Sequence, residues 1–371
     1  MNKKIRALGA LLLVILWGAL TAFAWFAPAK ESSDSERRLL AQFPAFTGKN
    51  ILSGKFMSDF EDYATDQFPL RDGFRGIKAL THRYALLQAD NNDIYLADGY
   101  LVKQEYPLNQ ESVDNALKRL NWVYDNYLKE TGSKVYLSII PDKNYYLAQP
   151  SGHLAMDYGS LISQMQTGLP YAAYIDVTGS LSASNYYYTD THWRQETLQE
   201  TAGVICRALD MPAQATGNFA VRIATDSFRG VYHGQAALPL PDETLRILVN
   251  ERLEAYQVSI HNGMGFVPVA YEGVYDMEKL TSKDPYDVFL SGPQSLIRIE
   301  NPNAKTDKEL IIFRDSFGSS IAPLLVAEYK TVTLVDIRYL DSRMLGRYLD
   351  FHGQDVLFLY STLVLNSNML K

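Results

Sequence analysis

The segment YYYTDTHWRQE, residues 186–196, places an aspartate and a histidine, Asp190 and His192, two positions apart. On an extended backbone, side chains two positions apart point to the same side, so the Asp190 carboxylate can reach the imidazole of His192. A carboxylate in that position fixes the histidine tautomer and stabilises the imidazolium ion, as a general base requires. The pair therefore suits half of a nucleophilic site, if the chain supplies a nucleophile elsewhere.

The nucleophile that this pair would need is Ser316, which lies in the segment ELIIFRDSFGSSIAPLLVAEY. The apolar run before the serine predicts a buried strand and the residues after it predict a helix, so the serine lies on a strand-to-helix turn. The free N–H groups and positive dipole of a helix N-terminus suit a developing oxyanion, and Gly318 lets the backbone turn tightly. A serine hydroxyl is nearly inert at neutral pH without a base, and His192 is the best candidate among the six histidines.

Strand and helix patterns alternate from residue 113 onward and predict the scaffold that would bring these side chains together. Helical segments lie between apolar runs, which are SKVYLSII, YAAYIDV, ELIIF, KTVTLVDI and DVLFLYS. Continuous apolar strands of this kind belong to parallel sheets that are covered by helices on both faces. The fold class is therefore predicted to be α/β, with a doubly wound, mainly parallel sheet.

Ligands bind beyond the carboxyl ends of the strands in such a sheet, which selects the polar residues found there. The candidates for substrate or oxyanion support at these ends, or beside the histidine, are Lys143, Asn144, Trp193, Arg314 and Tyr360. The sequence shows no His/Asp/Glu cluster with metal-ligand spacing, no P-loop and no G-x-G-x-x-G after a strand. We therefore predict neither a metal nor a cofactor.

Each of these motifs also has a structural interpretation, and the sequence leaves both open. Asp190 suits the cap of the helix that begins near Arg194, and a serine at a strand-to-helix turn is a common cap as well. In the same interpretation Arg314 and Asp315 form a local ion pair under the turn, and Trp193 belongs to the core. The lysine and asparagine after the first strand would then be solvated loop residues.

The composition excludes one class of partner and leaves another open. The net charge is −7, with 35 basic and 42 acidic residues and no basic block, so nucleic acid is not expected. The 25 tyrosines and 4 tryptophans suit either a tyrosine-rich core or a sugar-binding surface. The single cysteine, Cys206, has apolar neighbours and is predicted to be a buried core residue without a disulfide.

The N-terminus predicts contact with a membrane through residues 7–29. This uncharged stretch follows the basic segment MNKKIR and exceeds the roughly 20 residues that span a bilayer, so the remaining chain is expected outside the cytoplasm. A signal peptide cleaved after Ala24 or Ala29 is the alternative. The apolar stretch is longer than the roughly 7–15 residues of a signal peptide, which favours an uncleaved anchor.

The chain is predicted to have three parts. Residues 1–29 form the anchor or signal segment, and residues 30–110 form a linker and an N-terminal helical region. Residues 111–371 form the α/β domain, with a β-rich insertion at about 213–302 where Gly/Pro turns interrupt the regular alternation.

Taken in order, these motifs resemble those of a known family. The chain resembles the SGNH-hydrolase-like proteins of the alginate O-acetyltransferase type, and within them the DHHW proteins. The matching segments are SERRLLAQFPAF, GKFMSDFEDYATDQFPLRD, the Asp-x-His of DTHW and the RDSF turn, and the resemblance covers about residues 35–365. Thr191 stands where the DHHW pattern has a second histidine, and the SGNH glycine and asparagine blocks have no clear counterpart.

The resemblance implies a fold, a site and a reaction. It implies an SGNH-type sheet and a triad with Ser316 as nucleophile, His192 as base and Asp190 as its orienting acid, with acid and base preceding the nucleophile. It implies acyl transfer onto or off an exported polysaccharide, and a membrane-bound acyltransferase partner that passes the acetyl group across the membrane. The second oxyanion donor stays unassigned.

The resulting hypothesis is an exported, membrane-anchored O-acetyltransferase or acetylesterase that acts on a cell-envelope or extracellular polysaccharide through an acetyl-enzyme. Two alternatives belong to other classes. One is a non-catalytic glycan-binding or assembly component in which the triad residues are idle. The other is an anchor that scaffolds envelope enzymes through residues 30–110.

Overall fold

The computed structural model describes residues 3–211 and 217–371. Residues 1–2 of the predicted anchor and residues 213–216 of the predicted insertion lie outside the described residues. The α-helices are α1 (Lys3–Phe26), α2 (Gly48–Leu52), α3 (Lys55–Asp66), α4 (Arg71–Leu80), α5 (Gln110–Val123), α6 (Lys143–Ser151), α7 (Tyr158–Gly168), α8 (Gln199–Ala208), α9 (Val231–Ala236), α10 (Glu251–Ala255), α11 (Ser316–Ile321) and α12 (Thr362–Leu365). The strands are β1 (Ser32–Ser33), β2 (Arg38–Leu39), β3 (Ile94–Ala97), β4 (Tyr100–Lys103), β5 (Val135–Ile140), β6 (Ala173–Tyr174), β7 (Ala220–Phe228), β8 (Glu243–Val249), β9 (Gln257–His261), β10 (Phe266–Pro268), β11 (Leu296–Glu300), β12 (Glu309–Arg314), β13 (Thr331–Val335) and β14 (Asp355–Ser361).

The chain forms two compact units. The first contains the residues up to Asn92 together with His233–Pro239, and the second contains Asp93–Tyr232 and Leu240–Lys371. In the first unit, α1 is an apolar helix of 24 residues, about 36 Å long at 1.5 Å per residue. Its length and composition are compatible with a single-pass anchor or a signal sequence.

The second unit is built around an eight-stranded sheet with the order β10-β9-β11-β13-β12-β14-β5-β6. The five strands from β13 to β6 pair in parallel, while β11, β9 and β10 extend the sheet in antiparallel pairing. Two further strands of the predicted insertion, β7 and β8, form a separate antiparallel pair. The predicted α/β fold with a mainly parallel sheet is confirmed.

Both faces of the sheet are buried, which explains why its strands are continuous apolar runs. In β12, Leu310 and Ile312 face one core cluster, which also receives side chains from α8 and α11. Ile311 and Phe313 face the other cluster, which receives side chains from α5 and α7. Alternate residues of one strand thus enter opposite layers, as the period of two requires.

The parallel strands bring distant polar residues to a single edge. Arg314, at the end of β12, pairs with Leu359 of β14, and the end of β14 pairs with the end of β5, where Ser361 lies opposite Ile140. The residues that directly follow β5, β12 and β14 therefore share the carboxyl edge of the sheet, where doubly wound folds bind ligands.

Candidate active site

Ser316 is the first residue of α11, immediately after the turn that leaves β12. Asp315 caps this helix, because its Oδ1 accepts a hydrogen bond of 3.0 Å from the N–H of Phe317. Its other oxygen accepts bonds of 2.7 and 2.6 Å from the N–H and hydroxyl of Ser361 at the end of β14. The buried Asp315 carboxylate thereby fixes the serine turn to the neighbouring strand.

His192 lies between a carboxylate and the Ser316 hydroxyl. Its Nδ1 is 2.6 Å from Oδ1 of Asp190, and its Nε2 is 2.8 Å from Oγ of Ser316. Since the carboxylate can only accept, Nδ1 carries the proton and the serine hydroxyl donates to Nε2. The structure thus brings the three residues together in one hydrogen-bonded chain, with distances that suit proton transfer.

The Asp190 carboxylate is fully buried and is held from two sides. Its Oδ1 also accepts from the backbone N–H of His192 at 3.0 Å, and its Oδ2 accepts from the N–H of Val231 at 2.8 Å. Gly230 packs directly on this turn, because a Cβ at that position would lie 2.3 Å from the Asp190 backbone. The Gly230 N–H donates to the hydroxyl of Thr189 at 3.0 Å.

The imidazole is also fixed by an aromatic partner that sequence analysis missed. The ring of Tyr286 stacks on His192 with centroids 3.8 Å apart and planes only 6° from parallel. The Tyr286 hydroxyl donates to Oγ of Ser320 in α11 at 2.8 Å. Burial raises the pKa of Tyr286 well above its ordinary value, so this side chain stays a neutral donor. No local pattern around residue 286 marks this contact, which arises from the fold alone.

Trp193 connects the histidine segment to the serine helix from inside the core. The side chain is fully buried, and its Nε1 donates to Oγ of Ser320 at 2.8 Å and to the carbonyl of Phe317 at 3.2 Å. A side chain in this position is a core residue, which matches the structural interpretation of the sequence and not a wall of a sugar site.

Arg314 also lies beneath the turn and not in an open site. Its guanidinium is fully buried, with Nη1 3.8 Å from Oδ2 of Asp336 and Nη2 3.5 Å from the carbonyl of Gly292. Burial lowers the pKa of Arg314. Gly318 is required for a reason other than the predicted one: a Cβ there would lie 2.6 Å from the Cβ of Arg314.

Lys143 follows the strand end as predicted, but its side chain is buried and bonded to backbone. Its Nζ donates to the carbonyls of Leu101 at 2.5 Å and Tyr187 at 2.9 Å, with a longer contact of 3.4 Å to Tyr188. Burial lowers the pKa of Lys143 to about 7, although the negative charge of Asp190 opposes this shift. The ammonium group therefore supports the segment that precedes the Asp-x-His pair.

The two remaining candidates for support make their contacts elsewhere in the second unit. The amide oxygen of Asn144 accepts from the hydroxyl of Tyr95 at 2.8 Å, and its amide nitrogen is 3.4 Å from the hydroxyl of Tyr158. Tyr360 is fully buried within β14. Its neighbour Ser361, which binds Asp315, is the residue at this strand end that contacts the serine turn.

The site also depends on a glutamine that the sequence did not single out. Gln195 is fully buried, donates to the carbonyl of Ser320 at 2.8 Å and accepts from the N–H of Leu248 at 2.9 Å. Its amide thus ties the segment after His192 to α11 and β8. Across residues 3–211 and 217–371, no group of three or more histidine, cysteine and carboxylate side chains could hold a metal ion.

The sheet, with a serine at its carboxyl edge and a histidine and an aspartate aligned behind it, defines an α/β protein with a candidate nucleophilic site. No protein-family model matches the chain, and no curated protein matches it. Solved structures with a similar fold match it at low sequence identity.

The chain is similar to a DHHW family protein from Eubacterium siraeum, with a TM-score of 0.58 and 18% identity over 75% of this chain and 93% of that chain. It is also similar to Bacillus cereus PatB1 with a sulfonyl adduct, with a TM-score of 0.59 and 17% identity over 74% of this chain and 96% of that chain. The O-acetyltransferase domain of Pseudomonas putida AlgJ matches with a TM-score of 0.44 at 13% identity, over 74% and 92% of the two chains. The resemblance to the DHHW proteins is confirmed at the level of the fold.

Proposed function

We propose that the protein is an exported serine-dependent O-acetyltransferase or acetylesterase that acts on a cell-envelope or extracellular polysaccharide. The observation that carries this proposal is the position of His192, 2.6 Å from the Asp190 carboxylate and 2.8 Å from the Ser316 hydroxyl. A serine with such a base behind it is an activated nucleophile.

The reaction proceeds in two steps through an acetyl-enzyme. Oγ of Ser316 attacks the carbonyl carbon of an acetyl ester while His192 takes the hydroxyl proton, and the same histidine then protonates the departing alkoxide. In the second step, a sugar hydroxyl or water gives its proton to His192 and attacks the acetyl carbon, which releases Ser316. Asp190 stabilises the imidazolium in both steps, and the backbone N–H of Ser316 is the oxyanion donor at the helix start.

The setting supports an exported glycan as the substrate. Near the N-terminus, α1 is an apolar helix long enough to cross a membrane. The basic residues at its start favour export of the chain that follows α1. The acceptor would then be a polysaccharide outside the cytoplasm, as the DHHW resemblance implies. Acetyl groups would reach Ser316 from a membrane-bound acyltransferase partner.

The direct test is hydrolysis of p-nitrophenyl acetate by the full chain in detergent, beside its Ser316→Ala and His192→Ala forms. We expect the hydrolysis rate of both variants to fall by a factor on the order of 10³ or more, because neither the nucleophile nor the base has a substitute. Ser319→Ala is the matched control, since this serine of the same helix is buried and its hydroxyl has no hydrogen-bond partner within the described chain.

A covalent probe gives a second measurement on the same samples. Because PatB1 forms a sulfonyl adduct, a sulfonyl fluoride is expected to label Ser316, as read by peptide mass spectrometry. Equal hydrolysis by all four proteins, or labelling that persists in Ser316→Ala, would remove Ser316 as the nucleophile. Addition of an acceptor glycan then separates transfer from hydrolysis, since a transferase gives acetylated sugar in place of free acetate.

A further inference from the structure

A cavity of about 500 Å³ lies in the second unit beside the segment that leads to the Asp-x-His pair. Its lining includes Gly99, Tyr188, Arg194, Leu240, Pro241 and Arg246. This volume lies within the range of about 300–1,000 Å³ that is usual for small-molecule sites. None of these side chains takes part in the hydrogen-bonded chain of Ser316, His192 and Asp190, so the cavity is a separate feature of the molecule.

Tyr188 gives this cavity a fixed aromatic surface. Its side chain is 44% exposed, although tyrosines 186 and 187 just before it are fully buried. The ring stacks on that of Tyr100, with centroids 4.2 Å apart and planes 24° from parallel, and a Cβ at Gly99 would lie 3.6 Å from its edge. An exposed ring held from behind can receive the C–H face of a pyranose ring, because the aromatic face is electron-rich.

The backbone of Tyr188 is fixed as firmly as its ring. Its N–H donates to the carboxylate of Glu243 at 2.5 Å, and its carbonyl accepts from the N–H of Leu101 at 2.7 Å. The next residue, Thr189, donates its N–H to the same carboxylate at 2.7 Å. The aromatic surface is therefore preorganised, which lowers the entropy cost of binding a ligand.

The charges that line the cavity balance one another, because two arginines, Arg194 and Arg246, face two carboxylates, Asp242 and Glu243. Both arginines also approach the Glu196 carboxylate, at 4.0 and 3.8 Å. An arginine keeps further N–H donors when one of them faces a carboxylate, and these suit hydroxyl groups. With an aromatic face, two apolar side chains and no net charge, the cavity fits a neutral, hydroxylated ring better than an anion.

The cavity is near enough to the serine site to serve the same polymer. Tyr188 precedes His192 by four residues, so their backbones lie at most about 14 Å apart even if this segment were fully extended. A polysaccharide that binds at Tyr188 would therefore have its neighbouring sugar residues close to the backbone that carries the proposed base.

We propose that this cavity is a binding site for a neutral sugar residue of the acceptor glycan, with Tyr188 as the stacking surface and Arg194 and Arg246 as hydroxyl donors. The inference rests on the proposed function, because it assigns the acceptor side of that reaction. It makes Tyr188 a residue for recognition and leaves the chemistry to Ser316.

The test is saturation-transfer NMR with the full chain in detergent and three neutral tetrasaccharides, which are cellotetraose, β-1,4-mannotetraose and chitotetraose. We expect at least one to bind and Tyr188→Ala to weaken that binding by about tenfold, the loss of roughly one aromatic contact. Tyr188→Trp should retain binding, which excludes misfolding as the cause. Tyr84→Ala, at a tyrosine 68% exposed in the first unit, is the matched control.

Three results would overturn the site: no binding of any of the three sugars, equal binding by Tyr188→Ala and the wild type, or tighter binding of anionic tetragalacturonate. Hydrolysis of p-nitrophenyl acetate by the same samples separates this failure from that of the proposed function. Ser316-dependent hydrolysis without Tyr188-dependent binding refutes the sugar site alone. Tyr188-dependent binding without Ser316-dependent hydrolysis refutes the esterase chemistry and leaves a sugar-binding protein.

Discussion

At the scale of single residues, the imidazole of His192 is the most constrained group of the candidate site. Its two nitrogens face Asp190 and Ser316, and one ring face lies on Tyr286. A histidine that exchanges protons in both steps must keep one orientation between them, because a displacement of about 1 Å can cost roughly 100-fold in rate. The stacked tyrosine supplies that constraint through the face of the imidazole ring.

Replacement of Tyr286 separates the stacking from the hydrogen bond. Tyr286→Phe keeps the ring on His192 and loses only the bond to Ser320, so kcat/KM for p-nitrophenyl acetate should stay within about threefold of the wild type. Tyr286→Leu removes the flat surface and should lower kcat/KM by about 10–100-fold, since the imidazole can then rotate. An equal loss in both variants would assign the effect to the hydroxyl instead.

At the scale of elements, two segments hold the loop that carries Asp190. The residues before α9 meet it from one side, where the Gly230 N–H donates to Thr189, and Lys143 at the start of α6 binds the carbonyl of Tyr187 from the other. These contacts place the acid relative to the sheet, so each predicts a measurable effect on the site.

Gly230→Ala should disrupt the acid loop. The added Cβ would lie 2.3 Å from the backbone of both Asp190 and Thr189. This overlap can be relieved only if the backbone of the acid loop moves. We expect the free energy of unfolding to fall by about 1–3 kcal/mol and hydrolysis to fall with it. Gly179→Ala is the control, since a Cβ there meets nothing within 4 Å and stability should change by less than about 0.5 kcal/mol. Unchanged stability and activity in Gly230→Ala would contradict this packing.

Lys143 should make the stability of the protein depend on pH. Its pKa is about 7 in the folded chain and 10.5 for an ordinary lysine, so between these values the unfolded chain binds a proton that the folded chain lacks. The free energy of unfolding should therefore rise with pH above 7, by up to about 1.4 kcal/mol per pH unit. Urea unfolding between pH 7 and 8.5, followed by tryptophan fluorescence, measures this slope.

The matched variants for that slope are two lysine-to-methionine replacements. Lys143→Met removes the titrating group and should reduce the slope, while Lys118→Met, at an exposed position of α5, should keep it. An identical slope in the wild type and Lys143→Met would show that the buried ammonium does not titrate in this range.

The sequence predicts those elements whose signal is local. Strands β5, β12, β13 and β14 are mostly apolar runs, and the serine turn follows one of them directly. The contact of Asp190 and His192 is expected on an extended backbone, but the two residues lie in a bend, where the His192 N–H also donates to the Asp190 carboxylate. The positions of Tyr286 and Gln195 depend on how distant segments pack, and the burial of Lys143, Trp193 and Arg314 depends on layers that no local pattern describes.

At the scale of the whole molecule, the apolar helix α1 decides where the proposed reaction takes place. Its 24 residues meet the length required to span a bilayer, and the basic residues near its start favour a cytoplasmic N-terminus. A reporter at the C-terminus tests the orientation. If the C-terminus lies outside the cytoplasm, alkaline phosphatase fused after Lys371 should be active. Green fluorescent protein fused at the same position should not fluoresce.

Retention of α1 is a separate prediction, because a signal peptide would give the same orientation and a shorter product. The alanine pairs that end at Ala24 and Ala29 are the candidate cleavage sites. We expect the protein extracted from membranes to have the mass of the uncut 371-residue chain, 41.9 kDa. A mass lower by the first 24 or 29 residues, with the protein in the soluble exported fraction, would make α1 a signal sequence. The proposed enzyme would then meet its acetyl donor by diffusion and not through a shared membrane.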